Sequence, residues 1–200
     1  ELIAFLFACN YSEAWRPVEP LHFYGPSGLG RFLEDLETPF RWLRPRGWQR
    51  QIHEDDDSWF QGRGWRARAF PVRHGSEPAL AWRFESAGRV LCYSGDSAEC
   101  GGLAAAAAGA DLLLCECTRD GDSPPLEGHL GPEEVGRLAS QAGVARVVLT
   151  HLVPGAENID LPGQVQRICS CPVERAEDGM VWDLSVGPES GGLSLRATEF

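Results

Sequence analysis

A layered α/β fold is expected for this chain, and three observations carry that expectation. Short alternating or apolar runs recur between residues 65 and 150. Helix-like runs separate the later ones, the pattern of alternating strand and helix layers. Clusters of Gly, Pro, Ser and Asp punctuate the joins.

The elements follow in order. Glu1–Cys9 is apolar and reads as a helix or strand cut at its beginning. It lacks a basic lead-in and a small-residue cleavage site, so a signal peptide is not expected. Pro20–Phe23 reads as a short strand ending in the turn cluster Tyr24-Gly25-Pro26-Ser27-Gly28. Ser27 is then the expected N-cap of a helix over Gly30–Leu36. Pro39–Trp48 reads as a loop. His53–Asp57, a histidine followed by four acids, reads as a solvated turn. Trp65–Phe70 and Ala79–Phe84 alternate as half-buried strands do, and Val90–Tyr93 is a short apolar strand ending at Ser94-Gly95-Asp96. Gly102–Ala108 is a small-residue helix stopped by Gly109. Asp111–Cys117 is an apolar strand interrupted by Glu116, and a Gly/Pro/Asp loop follows over Asp120–Gly128. Pro132 opens a helix through Ala142, with Glu133 and Glu134 suited to its N-terminal dipole and Gly143 ending it. Val147–Leu149 is a strand that delivers Thr150-His151. The length suits one domain, expected over residues 1–187, with a loose tail over 188–200.

Composition narrows the function. No run of eighteen apolar residues occurs, so a transmembrane helix is not expected. The net charge is −11 and all 18 basic residues are Arg, a balance that repels phosphate backbones. A small-molecule substrate is the expected partner, a membrane is not, a nucleic acid is disfavoured and a homodimer is left open. Seven cysteines, an odd count without a secretory signal, suggest reduced thiols in a cytoplasm. The pairs Cys115/Cys117 and Cys169/Cys171 have the wrong spacing for a zinc ribbon, and Cys115 and Cys117 read as buried small hydrophobes.

Four polar groups stand where sites form. His74, Asp96 and His151 each close a strand-like run, and His129 ends a Gly-rich loop just before a helix. In layered α/β proteins, strand C-terminal ends converge on one edge. Imidazoles with a carboxylate are the donors of a hydrolytic zinc, and a carboxylate can bridge two metals. Any one of these histidines alone is more often structural; four such groups at four element ends are not expected by chance. His22 reads as core or edge structure and His53 as a surface residue. Arg73, Arg83 and Arg119 could hold a phosphate, with surface salt bridges as the competing reading. The aromatic residues of 1–70 could line a cleft, with core packing the plainer alternative.

The runs themselves resemble a family. Leu91-Cys92-Tyr93-Ser94-Gly95-Asp96-Ser97 resembles the "ysGDt" motif of metallo-β-lactamase-fold hydrolases of the ribonuclease Z-like branch. Leu113-Leu114-Cys115-Glu116-Cys117-Thr118 resembles its "HEAT" segment, Gly128-His129-Leu130-Gly131 its "GHST" loop and Leu149-Thr150-His151-Leu152 its "lTHl" motif. Val72-Arg73-His74 stands where the branch has a histidine ligand, and Phe23-Tyr24-Gly25-Pro26 matches its "lyGP" turn. The resemblance implies an αββα sandwich of two mixed sheets with helices outside. It also implies two zinc ions, with manganese or iron as alternatives. His74 would bind one zinc, Asp96 would bridge both and His151 would bind the other; His129, oriented by Glu116, would act near the scissile group as acid or stabiliser. A phosphodiester is the implied substrate class.

Two departures stand out. The branch's signature H-x-H-x-D-H is absent from these 200 residues, and with it half of the ligands and the water-activating Asp. Leu130 and Gly131 replace small hydroxyl residues. The implied alternatives are tRNA 3′-end processing or a non-catalytic degenerate module. Only 21 residues separate His74 from Asp96, too few for a tRNA-gripping arm, and the basic footprint of an RNA binder is missing.

Overall fold

The computed structural model describes residues 1–54 and 57–184; the tail expected over 188–200 lies outside them. The chain divides into two compact units, Glu1–Asp56 and Asp57–Phe200. No helix of the described residues is long and apolar enough to cross a membrane.

In the first unit, α1 (Leu2–Tyr11) confirms the helical option for the apolar start. Strand β1 (Leu21–Gly25) pairs in parallel with β2 (Arg50–Glu54), with α2 (Leu29–Glu37) between them in sequence. Leu6, Cys9, Leu33, Leu43 and Trp48 form the core. The segment read as a loop over 39–48 is held in place by one buried side chain. Asn10 donates to the Trp42 and Arg44 carbonyls and accepts from the Arg46 amide and Trp48 Nε1, so all of its amide capacity is used.

Two expectations fail here for one reason. The N-cap of α2 is Gly28 rather than Ser27, and His53 and Glu54 belong to a strand rather than a solvated turn. The Glu54 carboxylate accepts from the Gly28 amide at 3.1 Å and the Gly30 amide at 2.6 Å. An acid remote in sequence thus satisfies the donors that a local Ser would have capped. Asp55 and Asp56 lie outside the described residues.

The second unit is built on a seven-stranded sheet in the order β3-β4-β5-β6-β7-β8-β9. Strands β3 (Phe60–Gly62), β4 (Trp65–His74), β5 (Glu77–Ser86) and β6 (Arg89–Tyr93) are antiparallel neighbours. From β6 onward, β7 (Leu112–Glu116), β8 (Val147–Thr150) and β9 (Val173–Arg175) run parallel. Parallel neighbours need crossovers, supplied by α3 (Gly101–Ala107), α4 (Pro132–Ala142) and α5 (Leu161–Gln166). Leu103, Ala106, Val135, Leu138 and Ala139 of these helices join Leu113, Cys115, Val147 and Leu149 of the strands in one core. The mixed α/β class is the one expected, with one sheet in each unit.

Candidate functional site

Strand direction decides where the polar residues go. Strands β6, β7 and β8 are parallel, so their C-terminal ends share an edge. Strand β4 is antiparallel to β5, which is antiparallel to β6, so β4 ends at that edge too. His74 closes β4; Asp96 follows β6, Glu116 ends β7 and His151 follows β8.

Two glycines permit the approach. After β6 the chain turns at Gly95 with φ 58°, where a Cβ would lie 2.5 Å from the Leu80 carbonyl oxygen. Before α4, Gly128 has φ 83°, and a Cβ there would meet the Gly75 nitrogen at 2.8 Å and His74 Cδ2 at 3.0 Å. The loop can therefore lay His129 against His74. The two Nε2 atoms are 3.3 Å apart, with ring centroids 4.9 Å apart and nearly perpendicular. The His129 ring also faces that of His151 at 5.5 Å, and His151 Nε2 is 3.5 Å from Asp96 Oδ2. His74, His129, His151 and Asp96 are thus linked pairwise into one group. His151 has φ 55°, left-handed backbone that costs a non-glycine residue roughly 1–2 kcal/mol.

Glu116 is the buried centre, 1% exposed. Its Oε1 accepts from the Ser97 amide at 2.6 Å and faces His129 Nδ1 at 3.1 Å. Its Oε2 accepts from Thr118 Oγ1 at 2.6 Å and the Leu130 amide at 3.2 Å. Two amides and a hydroxyl donating to the two oxygens complement a carboxylate that carries no proton. His129 Nδ1 therefore bears its hydrogen toward Glu116, leaving the Nε2 lone pair facing His74 in the neutral ring. Burial raises the Tyr93 phenol beside the site, and the Asp96 and Glu116 charges add to the effect.

Among the described residues, no group of three or more His, Cys, Asp or Glu side chains is gathered as an ion-holding set. Of the three residues the resemblance assigns to metal, Asp96 and His151 stand together, and their 3.5 Å spacing is close to the ~3.3 Å between two ligands of a tetrahedral ion with bonds of ~2.0–2.1 Å. Carboxylate and imidazole are also the right donors, so this pair fits a divalent metal.

The remaining candidates are engaged elsewhere. Arg73 donates to the Glu99 carbonyl. Arg83 binds Glu85 and the Ala106 and Ala108 carbonyls at the end of α3. Arg119 binds Glu134 and the Asp120 and Ser123 carbonyls. His22 and His53 belong to the first unit and pair with each other, Nδ1 to Nε2, at 3.0 Å. Cys115 and Cys117 are fully buried in the core, as small hydrophobes are. Sequence reasoning missed Ser97 and Thr118 as site-shaping residues. Both lie inside the runs quoted above, but their residue types alone carry no such signal.

A family model described as a beta-lactamase superfamily domain matches residues 12–152. The probable metallo-hydrolase YhfI of Bacillus subtilis is 30% identical over 107 residues, covering 52% of this chain and 43% of that protein. Its crystal structure aligns over 90% of this chain and 72% of its own, with a TM-score of 0.73 and 21% identity. A ribonuclease Z of Methanothermobacter thermautotrophicus is 36% identical over 91 residues, 42% of this chain and 30% of that enzyme. Zinc-bound PqqB from Methylobacterium extorquens aligns over 90% of this chain and 68% of its own, with a TM-score of 0.63 and 18% identity. The sequence matches thus cover less than half the length of these curated relatives. With the family match running from the first unit through His151, the chain belongs to the beta-lactamase superfamily and has the metallo-β-lactamase fold.

Proposed function

We propose that this chain carries part of the active site of a metal-dependent hydrolase acting on a small phosphodiester. The observation that carries the reading is the gathering of His74, Asp96, His129 and His151 on one sheet edge around the buried Glu116. His74, Asp96 and His151 are the metal-holding residues. Zinc is the preferred ion, as in the zinc-bound PqqB neighbour, with manganese or iron as alternatives. When bound, such ions activate water and stabilise charge on the attacked group. Glu116 orients His129, and His129, once protonated at Nε2 as the imidazolium, would give that proton to the leaving oxygen or donate a hydrogen bond to the charge developing there.

The phosphodiester class draws support from the ribonuclease Z relative. Cleavage of tRNA itself is the weaker reading. The 21 residues between His74 and Asp96 are taken up by β5, β6 and their turns, and the charge of −11 opposes an RNA backbone. Reduced thiols favour a cytoplasmic setting.

Metal analysis of the full-length protein, paired with hydrolysis of bis(p-nitrophenyl) phosphate, tests the proposal. Bound zinc with turnover is expected, and metal-free protein without turnover under any divalent ion would overturn it. The isolated 200-residue chain lacks an H-x-H-x-D-H run and should bind zinc weakly and turn over poorly, because a catalytic site needs its complete ligand set.

A further inference from the structure

The loop side of the site holds one hydroxyl that touches everything the mechanism needs held. Thr118, 6% exposed, sits two residues beyond β7's last residue, Glu116. Its Oγ1 lies 2.6 Å from Glu116 Oε2, 3.3 Å from His129 Nδ1 and 3.2 Å from the backbone carbonyl of His151. These partners come from three separate places: β7, the loop before α4, and the turn after β8. A hydroxyl has one hydrogen to give and two lone pairs to receive with. The hydrogen lies between two acceptors, the Glu116 carboxylate and the His151 carbonyl. The lone pairs face the His129 Nδ1 hydrogen.

We infer that Thr118 is a positioning residue for this site. It holds Glu116 against His129 and pins the left-handed turn that carries His151. Two features support more than simple packing. His151 has φ 55°, and strained backbone of that kind persists only where the surroundings over-determine it. The Thr118 hydroxyl is one such constraint; the Cys117 amide on the Thr150 carbonyl at 2.9 Å is another. The second feature is that, among the described residues, Nδ1 of His129 meets only the Glu116 oxygens and Thr118 Oγ1. Removing the hydroxyl leaves Glu116 Oε2 with one donor fewer and loosens the hold on the imidazole. The catalytic meaning of this role rests on the reading of His129 proposed above.

The test compares Thr118→Val, which keeps the shape and removes the hydroxyl, with Thr118→Ser, which keeps the hydroxyl. Thr118→Ala is measured alongside in case the valine strains its packing. In the isotope-labelled, metal-free 200-residue chain, the His129 Nδ1 hydrogen should exchange slowly in the parent and in Thr118→Ser. In Thr118→Val and Thr118→Ala it should exchange about fivefold faster or more, and the His151 Cα shift should leave the left-handed range. In the zinc-loaded full-length enzyme, kcat on bis(p-nitrophenyl) phosphate should fall in Thr118→Val and return in Thr118→Ser. Parent-like exchange and shift in both hydroxyl-free variants would overturn the assignment, and so would faster exchange with unchanged kcat. If the parent enzyme fails to cleave the diester, the hydrolase reading falls while the exchange comparison still judges Thr118.

Discussion

The two halves of the seven-stranded sheet contribute unequally to the site. The parallel half, β6 to β9, supplies Asp96, Glu116, Thr118, His129 and His151; the antiparallel half supplies only His74. The cause is direction. Parallel strands all end on one edge, so each crossover loop begins there, whereas antiparallel strands end alternately on opposite edges. The antiparallel half spends its other ends on tight turns such as the one joining Ser86 to Arg89. The parallel half also has the deeper core, with Leu113, Val147, Val148 and Leu149 fully buried. The comparison predicts where damage is severe and where change is tolerated.

The largest effect should follow removal of the carboxylate that knits the parallel half together. Glu116→Ala strips the Ser97 and Leu130 amides and His129 Nδ1 of an acceptor in a buried place. Breaking such a buried charged network costs roughly 3–5 kcal/mol, and urea denaturation of the variant should show it. A loss below about 1 kcal/mol would mean that water or a neighbour readily replaces the carboxylate.

Next comes His129. In the full-length enzyme, His129→Ala should lower kcat by roughly a hundredfold with bound metal unchanged. Loss of zinc would instead make His129 a ligand alongside His74, as their 3.3 Å spacing permits. Unchanged turnover would leave it a structural anchor of the loop.

The thiols of the same half sharpen the contrast at high pH. Burial pushes Cys92 on β6 and Cys117 beyond β7 up to about 12. A thiol raised above its unfolded value favours the fold fully below that value. The contribution is lost as pH rises from the ordinary value near 9.0 to about 12. Denaturation curves over that window should show falling stability, and Cys92→Ala should reduce the slope. Asp96→Ala, by contrast, should cost less than about 1 kcal/mol at neutral pH, because Asp96 and His151 are 37% and 47% exposed at the side chain. Its effect belongs to metal binding, and zinc titration of the full-length variant should show it.

Much of this was legible in the sequence, and for a physical reason. A polar residue directly after an apolar run is conspicuous, and parallel pairing turns that local signal into a shared edge. His74, Asp96 and His151 were readable in this way, and Pro132–Ala142 was bounded correctly by its own proline and glycine. Strands β3 and β9 have three residues each, too few for any period to show. Helix α5 is six residues long and rests on the Asp160 side chain capping the Gly163 amide. The cap of α2 comes from Glu54, 24 residues beyond Gly30, and no local pattern announces a partner so far along the chain. Thr118 was hidden differently: its neighbours come from three separate segments.

The smallest expected effect lies in the antiparallel half, at the far end of β5. Ser86 and Arg89 are paired in register, so Ala87 and Gly88 form a two-residue hairpin turn. Their φ values are 49° and 77°, positive at both central positions as a type I′ turn requires. Glycine meets that demand at the second position. Alanine meets it poorly at the first, because its Cβ crowds the following carbonyl in left-handed backbone. Asparagine adopts that region far more readily, and Asn-Gly is the preferred pair for this turn. Ala87→Asn should therefore raise stability by about 0.5–1 kcal/mol without touching the site, read as a higher urea midpoint at unchanged slope. Glycine should gain less, since the freedom it adds to the unfolded chain offsets part of the relieved strain. A loss of stability in Ala87→Asn would show that the turn is held by its strands and not by its own backbone preference.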